Sequence, residues 1–289
     1  MYEHILLPFD GSERAAEALH HAGELAHWAD ATIQVLYVAD TTRDSVTVVE
    51  GETVDVLAQK GEDIVEEAAQ TLQTLGVAHE TDIVQGNPAP TIAEYAERYD
   101  QDLVVMPTHG REGLSRYVAG SVSEKVVRLS SVPVLTVRMQ PDETLEFPYE
   151  SLLVPTDGSA AATHAAGHTL SLAASLDATV HVLSVVDDET PGLDVRSTVT
   201  GKESEQAATD AVEAVLSEAE TRGVTETVSH IQHGTPTEEI LDCIESNNVH
   251  AVGMATTGRR GTDRILLGSV AETTVRAAPV PVLTVADSS

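Results

Sequence analysis

The stretch Leu6-Leu7-Pro8-Phe9-Asp10-Gly11-Ser12 reappears 147 residues later as Leu153-Val154-Pro155-Thr156-Asp157-Gly158-Ser159. Later matches are shifted by 148 residues, as when Gly120-Ser121-Val122 aligns with Gly268-Ser269-Val270. A repeat of this length predicts two copies of one folding unit. We place them at residues 1–140 and 148–289, because the stretch between them is polar, acidic and ends in proline.

Within each copy, short apolar runs alternate with segments whose apolar residues fall on one helical face, as Ala15, Ala18, Leu19 and Ala22 do. Runs this apolar predict parallel strands covered by helices on both faces. The expected fold is therefore α/β, with two tandem open five-stranded parallel-sheet sandwiches. In the first copy we expect strands at Ile5–Phe9, Ile33–Val38, His79–Val84, Leu103–Met106 and Val132–Val137, and helices at Ile64–Leu75, Ile92–Arg98 and from Gly120 to Leu129.

The last strand of each copy, Val132–Val137 and Val280–Val285, is an apolar candidate for a sheet edge. Exposed edges invite pairing with another strand. We expect these two strands to pair within one chain, which would make an intrachain pseudo-dimer with a pseudo-two-fold axis. Assembly into further homo-oligomers stays open at this point.

The charge balance excludes several classes of partner. The chain has 47 Asp or Glu against 16 Lys or Arg, a net charge of −31, which repels DNA, RNA and anionic lipid. A carboxylate-rich, lysine-poor composition is typical of a halophilic protein, since concentrated salt screens the repulsion. Neither a signal peptide nor an apolar run of about 18 residues is evident, which predicts a cytoplasmic protein without a membrane partner. The single Cys243 excludes an internal disulfide.

The loop after the fourth strand has the same spacing in both copies. Thr108-His109-Gly110 is followed by nine residues and Gly120-Ser121, and Thr256-Thr257-Gly258 by nine residues and Gly268-Ser269. A Gly-Ser pair that opens a helix presents backbone amides and the positive end of the helix dipole, which suits a phosphate group. The alternative is a helix that is merely capped by serine.

Positive charge is concentrated around these two loops. Residues 107–138 carry five Lys or Arg against two Glu, and residues 255–286 carry four Arg against two acidic residues. Nine of the 16 cations of a strongly acidic chain therefore flank the loops. Attraction of an anion accounts for this placement.

These features resemble the universal stress protein family over both halves of the chain. Members open with a strand that ends in aspartate, as at Asp10 and Asp157, and nucleotide-binding members carry Gly, two residues, Gly, nine residues, then Gly-Ser or Gly-Thr. The second and third glycines are present in both copies, whereas Pro107 and Ala255 replace the first. The resemblance implies an adenine nucleotide alpha hydrolase-like fold that dimerises through its last strand.

The resemblance also implies a site for ATP or AMP, with Mg²⁺ as an accompanying ion. Asp10 and Asp157 would contact the ribose or adenine, and Val38 and Val185 would meet the adenine through backbone groups. The phosphates would be held by Gly110, Gly120, Ser121 and Val122 in the first copy and by Gly258, Gly268, Ser269 and Val270 in the second. We add to the expected nucleotide site the neighbouring residues Pro8, Met106, His109, Pro155, Met254 and Thr257.

Because Ala255 keeps an N–H group that Pro107 lacks, the sequence predicts tighter binding in the second copy. Asp10 and Asp157 have an alternative role as carboxylates that cap the following helix. His164 and His168, four residues apart, are a weaker alternative as metal ligands, since no such pair stands at the matching positions of the first copy. No P-loop, dinucleotide-binding or serine-hydrolase motif is present. Because no general base and no cluster of metal ligands stands beside the phosphate loops, we expect no catalytic residue, no metal site and at most slow ATP hydrolysis.

Three functions stay open on the sequence. The first is an adenine-nucleotide sensor in stress responses, and the second is a nucleotide-free protein that acts through protein interactions. The third is a weak ATPase or self-phosphorylating protein, for which Ser121, Ser123 and Ser269 are the candidate acceptors.

Overall fold

The protein is described from a computed structural model, which covers residues 2–40, 56–108, 121–138, 145–187, 201–257 and 267–286. The chain divides into two compact units, Met1–Phe147 and Pro148–Ser289. No helix in the described ranges has both the length and the apolarity to cross a bilayer.

The N-terminal unit is built around one parallel sheet with the strand order β3-β2-β1-β4-β5. Helices alternate with the strands along the chain, as the apolar pattern predicts. The elements are β1 (His4–Pro8), α1 (Glu13–Ala29), β2 (Thr32–Asp40), α2 (Val56–Leu75), β3 (His79–Gly86), α3 (Pro88–Arg98), β4 (Leu103–Pro107), α4 (Ser121–Leu129) and β5 (Val134–Val137).

The C-terminal unit repeats this arrangement with the strand order β8-β7-β6-β9-β10. The predicted α/β fold with two tandem parallel sheets is thereby confirmed. The elements are β6 (Ser151–Pro155), α5 (Ala160–Leu176), β7 (Thr179–Val186), α6 (Gly201–Thr221), β8 (Thr227–His233), α7 (Pro236–Ser246), β9 (Ala251–Ala255), α8 (Ser269–Ala277) and β10 (Val282–Val285).

The fifth strand is shorter than the sequence predicts, since β5 begins at Val134 and not at Val132. The Ser130 hydroxyl donates to the Val132 carbonyl at 2.8 Å and accepts from the Val132 N–H at 3.1 Å. This side-chain turn after α4 satisfies the backbone of Val132 locally, so the residue does not join the sheet.

A complementary pair of residues fits α5 to β9 in the core of the C-terminal unit. A Cβ atom added at Gly253 would lie 2.7 Å from the Cβ of Thr169 and still closer to its hydroxyl. Thr169 is fully buried. The matching positions of the N-terminal unit hold Ala22 on α1 and Val105 on β4. The larger residue of the pair is therefore on the helix in the C-terminal unit and on the strand in the N-terminal unit.

We expect Gly253→Val to destabilise the C-terminal unit by about 1–3 kcal/mol, because the added side chain overpacks against Thr169. The double variant Thr169→Ala, Gly253→Val copies the pairing of the N-terminal unit and should recover most of the loss. Urea unfolding of both variants, with Thr169→Ala alone as the control, measures the free energies. A double variant no more stable than Gly253→Val would contradict this account of the packing.

Candidate functional site

The two central strands of each sheet separate before they end, which opens a crevice. β1 and β4 are in register only at Ile5–Leu103 and Leu6–Val104, although they continue to Pro8 and Pro107. The connections from β1 and from β3 leave the sheet in opposite directions here, so the crevice lies where the strand order reverses. Open α/β sheets bind their ligands at such a point.

The C-terminal unit has the same opening between β6 and β9. Their register ends at Leu153–Val252, and the strands run on to Pro155 and Ala255. Each unit therefore has a crevice of its own, formed by the carboxyl ends of its two central strands.

The turn after the first strand of each unit places a carboxylate at the crevice. Oδ1 of Asp10 accepts a hydrogen bond from the Ser12 N–H at 3.0 Å, and Oδ1 of Asp157 accepts one from Ser159 at 2.9 Å. Gly11, which lies between Asp10 and Ser12, has a positive φ of 72°, a conformation that residues with a side chain rarely adopt. The aspartate thus fixes a tight turn at the end of the strand.

Serine, and not aspartate, caps the helix that follows each turn. The Ser12 hydroxyl accepts from Ala15 N–H at 3.2 Å, and the Ser159 hydroxyl accepts from Ala162 N–H at 3.1 Å. Ser12 and Ser159 are therefore the N-cap residues of the two helices, a role that the sequence alone also allowed for the aspartates. Asp10 and Asp157 therefore act in the turn and do not cap α1 and α5.

Other residues expected in the nucleotide sites lie at the ends of three adjacent strands. Val38 and Val185 are partly buried near the ends of β2 and β7, next to the strands that precede the two aspartates. Met106 and Met254 are each 5% exposed and lie near the ends of β4 and β9. Each set therefore lines one end of its sheet, together with Pro8 in the N-terminal unit and Pro155 in the C-terminal unit.

Pro107 and Ala255, which replace the first glycine of the nucleotide-binding motif, differ in the backbone group that they offer to the crevice. The Val104 N–H donates to the Pro133 carbonyl directly before β5, and the Thr108 N–H donates to Val137 at the end of β5. Since successive residues of a strand direct their N–H groups to opposite sides, the position of Pro107 faces β1.

In the C-terminal unit the Val252 N–H donates to the Pro281 carbonyl directly before β10, and the Thr256 N–H donates to Val285. The N–H of Ala255 is therefore directed toward β6, beyond the last residue pair of the β6–β9 register. The C-terminal crevice thus has a backbone donor at Ala255 where the N-terminal crevice has proline.

The start of α8 has the features of an anion site. Gly268 is the N-cap residue, and no side chain caps the helix, so a serine-capped helix does not describe it. Ser269 is exposed, and Val270 and Thr257 are partly buried beside it. The first-turn amides of an α-helix have no partner within the helix.

The Gly268 N–H itself donates to the Thr256 carbonyl at 2.8 Å. In the N-terminal unit the Ser123 hydroxyl donates to the matching carbonyl of Thr108 at 2.9 Å. Ser123 is only 5% exposed, so its hydroxyl is less accessible for phosphorylation than that of the exposed Ser269.

Several predicted residues of the loops lie outside the described residues. These are His109, Gly110, Gly120, Gly258 and five of the arginines, and of Ser121 only its place as the first residue of α4 is described. Val122 follows it and is partly buried. Arg276 forms an ion pair with Glu272 at 2.8 Å on α8.

Across the described ranges, no group of three or more His, Cys, Asp or Glu side chains is placed to hold a metal ion. His164 is exposed, and burial together with the charges of His164 and Arg222 lowers the pKa of His168. Cys243 is a buried free thiol whose pKa is raised by burial.

The sequence reasoning missed a pair of histidines on neighbouring strands. His181 Nδ1 and His230 Nε2 are 3.0 Å apart, whereas the ring centroids are 5.2 Å apart, so the rings meet through their nitrogen edges. One ring must donate and the other accept, which requires that at least one of them is neutral. Burial is the main cause that lowers the pKa of both His181 and His230, whereas the negative charge of Glu226 raises the pKa of His181. The 49-residue separation hid the pair until the register of β7 and β8 was known.

The comparisons with known proteins agree on one family. The family described as "Universal stress protein family" matches residues 1–138 and 148–286. Universal stress protein MJ0531 of Methanocaldococcus jannaschii is 34% identical over 141 residues, 48% of this chain and 83% of that protein. A crystal structure of a universal stress protein from Archaeoglobus fulgidus covers 98% of both chains at 25% identity, with a TM-score of 0.76. A universal stress protein in complex with cAMP matches 48% of this chain and 97% of its own at 20% identity, with a TM-score of 0.38.

The histidine pair generates a pH dependence. Both pKa values are lowered from 6.5 in the folded chain, so the unfolded chain binds more protons once the pH falls to about that value. We expect the unfolding free energy of the C-terminal unit to be highest above about pH 6.5 and to fall as the pH decreases further.

The double variant His181→Gln, His230→Gln isolates this contribution, because His21 of the N-terminal unit, with a pKa lowered to about 4, also disfavours acid. Urea unfolding at pH 7.5 and pH 5.5 should show a smaller loss of stability in the double variant than in the parent protein. Equal losses would show that the pair does not contribute.

Proposed function

Because this chain belongs to the universal stress protein family, we propose that it is an adenine-nucleotide-binding regulatory protein of stress responses. Its two domains, residues 1–140 and 148–289, would each hold one ATP or AMP. The observation that carries this proposal is the crevice between separating central strands, with an aspartate turn on one side and, in the C-terminal unit, an uncapped helix start on the other.

The described residues of the C-terminal unit account for the parts of a nucleotide as follows. The carboxylate of Asp157, fixed by its turn, accepts hydrogen bonds of the kind that ribose hydroxyl groups donate. Val185 and Met254 provide apolar contact and neighbouring backbone groups for a base. The amides of Ser269, Val270 and Ala271 at the start of α8 attract the phosphates, assisted by the helix dipole.

We propose that this site works by binding and not by turnover. The carboxylate of Asp157 already accepts a backbone hydrogen bond in the turn that follows β6, where it holds that turn in place. A nucleotide bound in the crevice would then change the surface that the C-terminal unit offers to another protein. A nucleotide-free interaction protein is the alternative, and the binding measurement decides between the two.

We expect the parent protein to bind up to two molecules of ATP or AMP, and Gly268→Val to lose the C-terminal site, because the valine side chain occupies the start of α8. Native mass spectrometry and calorimetry with ATP, AMP and cAMP measure the stoichiometry. Thr273→Val is the matched control, since it places the same side chain at an exposed position one turn further along α8. Absence of binding by the parent protein would favour the nucleotide-free alternative.

Pro107→Ala tests the difference between the two crevices. The substitution restores an N–H group on the β1 side of β4 without removing a hydrogen bond to β5. A hydrogen bond to a charged phosphate contributes about 1.5–3 kcal/mol, so the N-terminal site should bind roughly ten- to a hundredfold more tightly. Calorimetry in the Gly268→Val background isolates that site. Unchanged affinity would show that this position makes no contact with the ligand.

A further inference from the structure

The histidine pair on β7 and β8 presents two ring nitrogens to each other. Nδ1 of His181 and Nε2 of His230 are 3.0 Å apart, and the planes of the rings differ by 15°. Because the ring centroids are 5.2 Å apart, the two nitrogens lie between the rings, which meet edge to edge. Imidazole nitrogen is the commonest metal ligand in proteins, so a pair that faces one point is a candidate for binding a cation.

The distance between the two nitrogens suits two ligands of one metal ion. Zinc binds histidine nitrogen at about 2.0–2.1 Å, so two such ligands lie roughly 2.9–3.4 Å apart at angles between 90° and the tetrahedral angle. The nitrogens of His181 and His230 are already within this range. The backbone therefore does not have to move for both rings to reach one ion.

The surroundings of the pair are open to water and negatively charged. β8 is an edge strand, and every residue of it except His230 is exposed. Val228 and Glu226 share a face of the strand with His230, since side chains alternate, and Val228 is 37% exposed. The exposed Glu226 accepts a hydrogen bond at 3.2 Å from Thr179, which lies two residues before His181. A hydrated cation can thus reach the rings beside a carboxylate.

We propose that His181 and His230 bind one divalent transition-metal ion, of which Zn²⁺ is the type, between their facing nitrogens. Imidazole suits zinc, copper and nickel, whereas Mg²⁺ and Ca²⁺ prefer oxygen ligands. In the part of the chain that the structure describes, no third His, Cys, Asp or Glu is placed to join the pair, so water completes the coordination. The carboxylate of Glu226 contributes its charge and not a ligand.

Binding of the ion changes the tautomer of one ring. The hydrogen atom that joins the two nitrogens moves to the outer nitrogen of the same ring, so a neutral pair releases no net proton. Both facing nitrogens then carry a lone pair, and a rotation of the rings about their side-chain bonds directs the lone pairs to the ion. The ion takes the place of the hydrogen bond and joins β7 to the edge strand β8.

The N-terminal unit has no such pair at the matching positions. Gln34 and Asp82 stand where the C-terminal unit has the two histidines, and Ala78 stands at the position of Glu226. Asp82 accepts a hydrogen bond from the Tyr95 hydroxyl at 3.0 Å. Since both ring ligands are present in one unit alone, the proposal predicts one ion per chain.

Equilibrium dialysis of the full chain against Zn²⁺, followed by metal analysis, tests the site. The protein carries no polyhistidine tag, and the buffer contains molar KCl and excess Mg²⁺, which competes for the oxygen ligands of this acidic chain. We expect one Zn²⁺ per chain. His181→Gln and His230→Gln should each weaken binding roughly tenfold or more, because each removes one of the two protein ligands.

His164→Gln is the matched control. It removes an exposed histidine from α5, where His164 and His168 stand four residues apart, and it should leave the binding of Zn²⁺ unchanged. Glu226→Gln should weaken binding less than either variant of the pair, since it removes a charge near the ion and no ligand.

Urea unfolding distinguishes a lost site from a lost fold. An ion that binds the folded chain raises the unfolding midpoint, so Zn²⁺ should stabilise the parent protein and His164→Gln but not His230→Gln. A parent protein that binds no Zn²⁺ would overturn the proposal. So would binding that survives His230→Gln at full affinity, or binding that is lost in His164→Gln, because the ion would then lie elsewhere.

Discussion

The early separation of the two central strands is the constraint on which the rest of each unit depends. Only two residue pairs join β1 to β4, and only two join β6 to β9. Because the strands continue past these pairs, their last residues are released from the ladder between them. Asp10 and Asp157 then occupy turns at the mouth of each opening. The loops that start after β4 and β9 begin on the other side.

The repeat and the alternation of apolar runs were enough to predict the fold, because buried parallel strands and amphipathic helices leave strong periodic signals. The prediction missed where β5 begins, since the Ser130 hydroxyl satisfies Val132 outside the sheet. It also left the role of Asp10 undecided, because a turn and a helix cap share the same residue pattern. The bond from Gly268 to Thr256 left no signal in the sequence, since it joins two backbone groups.

Comparison of the two units shows that they have diverged in matched sets of contacting residues. Thr169 and Gly253 stand where the N-terminal unit has Ala22 and Val105, so the larger residue lies on the helix in one unit and on the strand in the other. Where Asp82 accepts a hydrogen bond from the Tyr95 hydroxyl at 3.0 Å, the C-terminal unit has His230 and Cys243, and His230 bonds instead to His181. The crevices differ in the same way. The N-terminal crevice has proline at residue 107, whereas the C-terminal crevice has a backbone N–H group at Ala255.

Hydrogen–deuterium exchange of the full chain, with and without saturating ATP, tests the location of the site most directly. Slower exchange at amides depends on protection by the ligand and by local order. We expect ATP to slow exchange in the segments around Asp10 and Asp157 and in the first turn of α8, with no change in the edge strands β3 and β8. Protection confined to those edge strands, or to the surface of α2 and α6, would contradict a nucleotide site in the crevices.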